Sequence, residues 1–263
     1  MIALPFHLDA QRNNIWYFGG NSGLNFNNTS AAPPTPLTDG IMAANEGCSS
    51  ICDEEGRIMF YTDGVTVYNK LHQVMVNGTS IGGNVSTFQG ALIIPHPGNQ
   101  NLYYIFTGDA LENGYDNGYR YSVVDMTADN GNGAVTSKNT LLWSSGSERL
   151  AATRHANGVD VWLITNDESS NVFRSWLINC SGLQGNHVVS TVGEVMNQHE
   201  AANVGALRFS PDAKMLCQTH FPDLVAVGNT PPDYFQLFDF NNSTGAITNP
   251  RKIELPSANF INA

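Results

Sequence analysis

The chain of 263 residues contains little charge, because Asp, Glu, Lys and Arg together make up only 13% of it. Soluble proteins typically contain about 25% of these residues. The formal net charge is −11, with 12 basic and 23 acidic residues, and the basic residues do not cluster. Nucleic acids are bound chiefly through Lys and Arg contacts to phosphate. The composition therefore argues against a protein that binds nucleic acid.

Long hydrophobic runs are also lacking. No stretch of the sequence approaches the ~20 apolar residues that a membrane-spanning helix requires. The chain is not rich in Ala, Glu, Lys and Leu, which dominate coiled coils and helical bundles. We therefore predict neither insertion into a membrane nor a mainly helical fold.

Cysteine is scarce, with four residues at Cys48, Cys52, Cys180 and Cys217. Their spacing matches neither a zinc site nor a C-x-x-C redox motif. Cys48 and Cys52 fall in one predicted strand, about 13 Å apart at ~3.3 Å per residue, which is too far for a disulfide. We predict that the cysteines are small buried side chains. A disulfide between Cys180 and Cys217 is the alternative.

Asparagine, glycine and aromatic residues are abundant. The chain contains 30 Asn and 25 Gly, together with 13 Phe, 9 Tyr and 4 Trp. So many aromatic residues exclude a disordered chain. Asn and Gly favour tight turns, and aromatic and β-branched runs favour strands. The composition predicts an all-β protein.

An internal repeat organises the sequence. In four segments an apolar strand leads through a tight turn into a second strand, followed by a loop and a third strand. One of these turns, Asn157-Gly158, predicts a type I′ hairpin. The second strands end 45 to 58 residues apart, at Thr62, Thr107, Thr165 and Thr219. Four antiparallel strands in roughly 40–50 residues make one propeller blade. We predict a β-propeller of four-stranded antiparallel blades, in preference to a β-sandwich.

The two ends of the sequence do not fit a closed ring. Residues 14–18 and 23–26 predict two strands without a blade of their own, of the kind that complete a last blade. Residues 256–263 read like the approach to another blade. We therefore expect residues 13–263 to form an incomplete propeller of about four blades, truncated at the C-terminus. Residues 1–12 are either a signal-peptide remnant or an N-terminal extension.

Several short segments resemble one protein family. The run Asn13-Asn14-Ile15-Trp16-Tyr17-Phe18-Gly19, continued by residues 23–26, is similar to the opening of N-terminal propellers in surface proteins of gliding bacteria. The resemblance covers nearly the whole chain from Asn13 onward. A turn at residues 209–212 and a strand at 237–240 add the more general YVTN/WD-like blade signature. Further matching segments are residues 45–48, 60–64, 101–106, 121–126 and 154–158.

The resemblance implies an exported, cell-surface protein. Proteins of this family usually end in a gliding-motility or type IX secretion sorting domain, so we expect this chain to be a fragment of a longer parent protein with other domains. The family's propeller is related to the quinoprotein amine dehydrogenase β-chain superfamily. No shared catalytic activity is implied by the resemblance.

The seven histidines are the first candidates for metal ligands or acid–base groups. His155 lies just before a hairpin turn, where a hydrogen bond to a neighbouring strand is its expected role. His199 and Glu200 are adjacent, so on an extended chain their side chains point to opposite faces. The remaining candidates lie near strand ends or turns and lack the H-x-H or H-x-x-x-H spacing of metal sites: His72, His96, His187 and His220.

Two further motifs were tested against known chemistry. Residues 125–133 supply oxygen donors but lack the register and closing Glu of an EF-hand, although Asp109, Asp116 and Asp125 could converge in the fold. Residues 78–82 spell G-x-S-x-G around Ser80, but no helix follows, as a nucleophile elbow requires. We predict no catalytic residue, no metal site and no cofactor, with bound calcium as the alternative.

The leading functional prediction is a non-catalytic binding module of an exported or cell-surface protein, which recognises protein or glycan through propeller loops. Exposed Tyr or Trp on one rim would suit such a role. The alternative is a lactonase-like propeller hydrolase with a divalent metal in its central channel, for which the candidate ligands are Asp53, Glu148 and His155. A cytosolic WD-type scaffold is a third reading.

Overall fold

The structure is a computed structural model that describes residues 10–28, 32–195, 200–219 and 234–254. These residues form nineteen β-strands and four short 3₁₀ helices. No helix in these ranges is long and apolar enough to cross a membrane. The 3₁₀ helices are Ala10–Asn13, Leu111–Asn113, Asp129–Gly131 and Glu200–Asn203.

The first two sheets are antiparallel, and their strands follow one another in chain order. The three-stranded sheet consists of β1 (Ile15–Phe18), β2 (Ser22–Asn25) and β3 (Thr35–Leu37). The first four-stranded sheet consists of β4 (Ser49–Cys52), β5 (Ile58–Thr62), β6 (Thr66–Asn69) and β7 (Val74–Thr79).

Three more four-stranded sheets repeat the same order of strands. The second consists of β8 (Leu92–Pro95), β9 (Leu102–Thr107), β10 (Tyr119–Asp125) and β11 (Ala134–Trp143), and β11 also meets β7 through a single parallel pair. The third consists of β12 (Leu150–Arg154), β13 (Val161–Asn166), β14 (Val172–Asn179) and β15 (Gly182–Thr191). The fourth consists of β16 (Leu207–Phe209), β17 (Met215–Thr219), β18 (Tyr234–Asn241) and β19 (Ala246–Glu254).

This topology confirms the predicted fold class, an all-β chain of four-stranded antiparallel propeller blades preceded by extra N-terminal strands. The structure differs at the N-terminus, where β3 joins the two predicted strands to make a sheet of three. Pro36 lies in the middle of β3, and proline removes a ladder hydrogen bond. An edge strand tolerates that loss, but in the sequence such a segment reads as a loop.

The predicted type I′ turn at Asn157-Gly158 is wrong. Gly158 has a positive φ of 74°, but Asn157 is not among the residues with positive φ. The Asn157 side-chain oxygen instead accepts hydrogen bonds from the backbone N–H groups of Val159 and Asp160. These side-chain hydrogen bonds stabilise the turn, so it does not need two residues with positive φ.

The chain divides into two compact units, which we describe separately. The first contains residues 1–95, 100–107 and 120–142, and the second contains residues 96–99, 108–119 and 143–263. Within the first unit, Phe60 and Tyr61 are neighbours on β5 but enter different apolar clusters, because successive strand residues face opposite sides of a sheet. In the second unit, Phe173 packs edge-to-face on Phe238 between the third and fourth sheets.

All four cysteines are free thiols, so the alternative disulfide between Cys180 and Cys217 is not formed. Cys52 is buried as predicted, and Cys48 and Cys217 are half-buried. Burial raises the pKa of these three thiols. The prediction is wrong for Cys180, which is exposed because it occupies the turn between β14 and β15.

Candidate functional site

The first unit contains a cluster of titratable side chains that the sequence analysis did not find. Its members are Tyr17 on β1, Asp39 after β3, Tyr61 on β5 and His72 in the turn between β6 and β7. We call it the tyrosine–histidine cluster. It joins the three-stranded sheet to the first four-stranded sheet through polar groups at the edge of a shared apolar cluster.

The polar atoms of this cluster form a continuous chain. The Tyr61 hydroxyl lies 3.1 Å from His72 Nδ1, and His72 Nε2 lies 3.5 Å from the Asp39 carboxylate. The other Asp39 oxygen accepts a 2.8 Å hydrogen bond from the Tyr17 hydroxyl. These contacts assign the proton of neutral His72 to Nε2, beside the carboxylate, so that Nδ1 accepts the Tyr61 proton.

The aromatic rings of the cluster are stacked. The Tyr61 ring lies 4.6 Å from the Tyr17 ring and 5.2 Å from the Tyr68 ring, measured between centroids. Tyr61 is completely buried. Burial raises the pKa of Tyr61 above its ordinary value, and burial together with the Asp39 carboxylate raises the pKa of Tyr17 strongly. Both phenols are therefore neutral at physiological pH.

The turn that carries His72 is held by the side chain of Asn69. The Asn69 side-chain oxygen accepts hydrogen bonds from the backbone N–H groups of Leu71 and Gln73. His72 lies between these two residues with a positive φ of 57°. Such a backbone is uncommon for a residue other than glycine, although histidine adopts it more readily than most residues do. The local turn thus fixes the position from which His72 reaches Tyr61.

The second unit contains a different buried polar network, centred on Arg149. The Arg149 side chain has no solvent exposure. Its guanidinium donates to the backbone oxygens of Thr219, Ala202 and Val204, and to the side-chain oxygen of Asn166. Burial lowers the pKa of Arg149 to about 10, so it keeps its charge at pH 7. The network links three backbone segments through one buried cation.

Tyr119 belongs to the Arg149 network and is also completely buried. Its hydroxyl lies within 3.1 Å of Ser147 and of the backbone oxygens of Arg149 and Asn166. None of these partners is a base. Burial raises the pKa of Tyr119 to about 12. The Arg149 network therefore holds a neutral phenol beside a cation and among uncharged partners.

The residues suggested for a channel metal are engaged elsewhere. Glu148 is buried and accepts a hydrogen bond from the Leu111 backbone N–H. His155 follows the other end of β12, about 20 Å away at ~3.3 Å per residue, and its Nε2 faces the Ser243 backbone oxygen. Asp53 pairs with Arg57. Among the described residues, no three His, Cys, Asp or Glu side chains come together as a metal site would require.

The calcium candidates are engaged in local turns. Asp125 accepts hydrogen bonds from the backbone and hydroxyl of Thr127, and these bonds lower its pKa. The Asp109 carboxylate accepts hydrogen bonds from the Asn113 side chain and the Asn117 backbone. Asp116 is exposed. These bonds are typical of aspartates that stabilise turns.

The other sequence candidates have individual surroundings. Ser80 lies in an exposed turn with a φ of 55°, and no helix follows it. His96 Nδ1 accepts a hydrogen bond from the Gly98 backbone. His199 and His220 lie outside the described residues, and Glu200 lies in a 3₁₀ helix.

His187 belongs to an aromatic packing arrangement in the second unit. Its Nε2 lies 2.9 Å from the Arg174 guanidinium, which makes a two-point ion pair with Asp167 and stacks 3.8 Å above the Trp143 ring. The pKa of His187 is lowered by burial and by the neighbouring Arg174 charge. A salt-bridged arginine on a tryptophan face is a common packing unit.

The three-stranded sheet carries exposed aromatic residues on one face. Tyr17 and Ile15 point inward, whereas Trp16 and Phe18 alternate with them and point outward. Trp16 and Phe18 are 48% and 37% exposed, and Phe26, whose ring lies 4.7 Å from the Trp16 ring, is 37% exposed. We call Trp16, Phe18 and Phe26 the exposed aromatic face.

Sequence reasoning missed both polar clusters. The sequence marks His72 as a candidate, but its partners Asp39 and Tyr61 belong to no catalytic or metal-binding motif. Arg149 directly precedes the strand predicted from Leu150 onward and follows the polar residues Ser147 and Glu148, so nothing in the local pattern predicts its burial. Arginine is rarely fully buried, so this position marks a network of partners.

The chain was compared with known proteins. No protein-family model matches it, and no curated protein is significantly similar. Three similar solved structures are propeller-like. The periplasmic gluconolactonase of Pseudomonas aeruginosa is 14% identical, over 88% of this chain and 63% of that protein, with a TM-score of 0.41. The exo-β-1,3-galactanase of Phanerochaete chrysosporium is 11% identical, over 91% of this chain and 49% of that protein, with a TM-score of 0.42, and the Nup133 β-propeller domain of Vanderwaltozyma polyspora is 9% identical, over 89% and 64%, with a TM-score of 0.33.

The chain spans less than two thirds of the length of each of these three proteins. Two of them are named as enzymes that act on a lactone or a galactan, and the third is named as a propeller domain without an activity. One fold supports many activities. With TM-scores of 0.33 to 0.42, these similarities carry no argument about a ligand or a reaction.

Proposed function

We propose that the chain is a non-catalytic binding module of an exported cell-surface protein, similar to the propellers of gliding-bacterial surface proteins. The observation that carries this proposal is the exposed aromatic face on the three-stranded sheet. Clustered apolar residues at a protein surface mark sites of interaction. The three candidate metal ligands, Asp53, Glu148 and His155, are engaged in hydrogen bonds or an ion pair within the protein, which supports binding rather than turnover.

A glycan is the favoured ligand of this face. Sugar rings stack on exposed aromatic rings, and their hydroxyls pair with amide groups. Trp16 and Phe26 are accompanied by three asparagines. The Asn14 side chain donates to the Asn27 side-chain oxygen, and the Asn25 side-chain oxygen accepts from the Asn27 backbone N–H. These five residues carry no charge, which fits a neutral ligand. A protein partner is the other outcome of the test.

A glycan and protein array probed with the chain tests this proposal. We expect binding to a glycan, and Trp16→Ala should weaken it by about tenfold or more, since losing an aromatic contact costs about 1–3 kcal/mol. Leu141→Ala is the matched control, because Leu141 is a similarly exposed apolar residue on β11. Equal binding by wild type and Trp16→Ala would reject the aromatic face as the site.

Two further measurements test where the parent protein is located and whether the chain is an enzyme. Antibody labelling of intact cells should detect it at the surface, and a purely intracellular signal would contradict export. Hydrolysis of a lactone by the purified chain, accompanied by one bound divalent metal per chain, would replace the binding module by the hydrolase alternative.

A further inference from the structure

Tyr61 combines complete burial with a hydrogen-bonded path for its proton toward solvent. The phenol itself has no exposed surface. Its partner His72 is 20% exposed and the Asp39 carboxylate is 58% exposed, measured on their side chains. The group next to the phenol is therefore an imidazole, and the group behind it is a carboxylate in contact with water.

This arrangement matters most when an electron is removed from the phenol. A phenol that has lost one electron is a much stronger acid than the neutral phenol, so its oxidation is easy only where a base can take the proton. Water cannot take it at a fully buried hydroxyl. At Tyr61 the acceptor is His72 Nδ1, 3.1 Å from the hydroxyl oxygen.

We propose that Tyr61 is a site of reversible one-electron oxidation, with His72 as its proton acceptor. The oxidant is an external one-electron acceptor. It takes one electron from the Tyr61 ring, the O–H bond of Tyr61 breaks, and a new N–H bond forms at His72 Nδ1. The products are a neutral tyrosyl radical and an imidazolium. One electron from an external reductant and return of the same proton restore the starting state.

The surroundings of Tyr61 stabilise both products. The Asp39 carboxylate lies beside His72 Nε2 and compensates the new positive charge. The Ile41 backbone N–H donates to the Tyr61 oxygen, which keeps one hydrogen bond after the proton has left. The stacked Tyr17 and Tyr68 rings shield the radical from solvent. Tyr68 is half-buried, so its ring also offers the electron a path from Tyr61 to the surface.

Tyr17 is the competing site, because its hydroxyl also donates to a base, the Asp39 carboxylate. Imidazole is a stronger base than a carboxylate and is therefore the better proton acceptor. Tyr119 provides a third case. It is equally buried, but its partners are Ser147 and backbone oxygens, and the Arg149 cation lies nearby. Oxidation of Tyr119 is therefore disfavoured.

The experiment oxidises the full chain with photo-oxidised tris(bipyridine)ruthenium, with persulfate as the electron sink. Tyrosyl radicals are then counted by low-temperature electron paramagnetic resonance. We expect one dominant radical in the wild type. Tyr61→Phe should lose most of this signal, while Tyr17→Phe and Tyr119→Phe should retain it. A main loss in Tyr17→Phe, or equal signals in all four proteins, would overturn the proposal.

The role of His72 is tested by the rate of radical formation after a light flash. His72→Asn removes the base, and asparagine tolerates the positive φ at this position. Without a positioned base we expect formation to slow by roughly a hundredfold. Thermal melting of each variant checks that the fold is retained. A folded His72→Asn protein that forms the Tyr61 radical at the wild-type rate would rule out His72 as the acceptor.

Discussion

Tyr61 and Tyr119 are both completely buried, yet their surroundings give them opposite chemical character. Tyr61, in the first unit, hydrogen-bonds to a histidine that leads through a carboxylate to solvent. Tyr119, in the second unit, is enclosed by uncharged oxygens beside the Arg149 cation. Burial alone therefore does not determine what a tyrosine can do. The partners of its hydroxyl decide whether its proton can leave.

The two clusters also differ in their expected contribution to stability. The Arg149 side chain itself is completely buried, so removing one of its partners leaves a buried polar group without a hydrogen bond. The tyrosine–histidine cluster reaches the surface at Asp39 and His72, where water can replace a lost partner. We expect large effects on unfolding in the first case and small ones in the second.

The largest expected effect is that of Arg149→Ala. It leaves the oxygens of Thr219, Ala202 and Val204 without their donor and opens a cavity. Breaking a buried charged network typically costs about 3–5 kcal/mol. Urea unfolding of the two proteins measures the change. Arg57→Ala is the control, because Arg57 is largely exposed and its ion pairs with Asp53 and Glu55 lie at the surface, where such pairs contribute little. Its midpoint should stay close to the wild-type value. An Arg149→Ala midpoint equal to wild type would show that the network contributes nothing.

Tyr119 predicts a specific dependence of stability on alkaline pH. Its pKa is about 12 in the folded chain and about 10 in the unfolded one. Between these values the unfolded chain loses the phenolic proton first, so stability falls as pH rises. The resulting decrease in the free energy of unfolding that is due to Tyr119 reaches about 3 kcal/mol.

Tyr119→Phe isolates this loss from the other groups that titrate in the same range. Arg149, whose pKa is lowered to about 10, acts with the opposite sign, since its folded form loses a proton before its unfolded form. Burial is the largest cause of the lowered Arg149 pKa, and it is common to both proteins. The urea midpoint of wild type should exceed that of Tyr119→Phe at pH 8, and this difference should shrink as the pH is raised to 12. A constant difference across this range would contradict a raised pKa at Tyr119.

The smallest expected effect is the difference in the free energy of unfolding between Tyr61→Phe and Tyr119→Phe at pH 7. Tyr61→Phe removes a bond to the partly exposed His72, and we expect a cost of about 1 kcal/mol or less. Tyr119→Phe leaves buried donors and acceptors unpaired, so the free energy of unfolding should fall by about 1–3 kcal/mol. Thermal or urea unfolding ranks the two variants. The reverse order would mean that the first cluster is the more closed to water.

The repeat was predictable from the sequence because its signals are local. Strands β5, β9 and β17 end at Thr62, Thr107 and Thr219, where the apolar runs end, and β13 extends one residue beyond Thr165. Turn residues between consecutive runs fix hairpins without any knowledge of distant parts of the chain. The number and order of strands in a blade therefore follow from spacing alone.

The polar clusters were not predictable because they depend on register and on which face each residue occupies. Tyr61 contacts His72 and Tyr17 only because Tyr61, and not Phe60, faces the three-stranded sheet. A shift of one residue would exchange the two side chains. Arg149 was missed for another reason, since its partners come from segments 17 to 70 residues away.

The outer edge of the three-stranded sheet bears on how the protein behaves in concentrated solution. A sheet edge offers backbone groups that can recruit a strand from another molecule, which is how many β-proteins begin to aggregate. Here that edge is β3, only three residues long, with a proline at its centre that has no N–H to offer. The segment that reads as a loop in the sequence thus protects the folded chain from growing into a fibril at this edge.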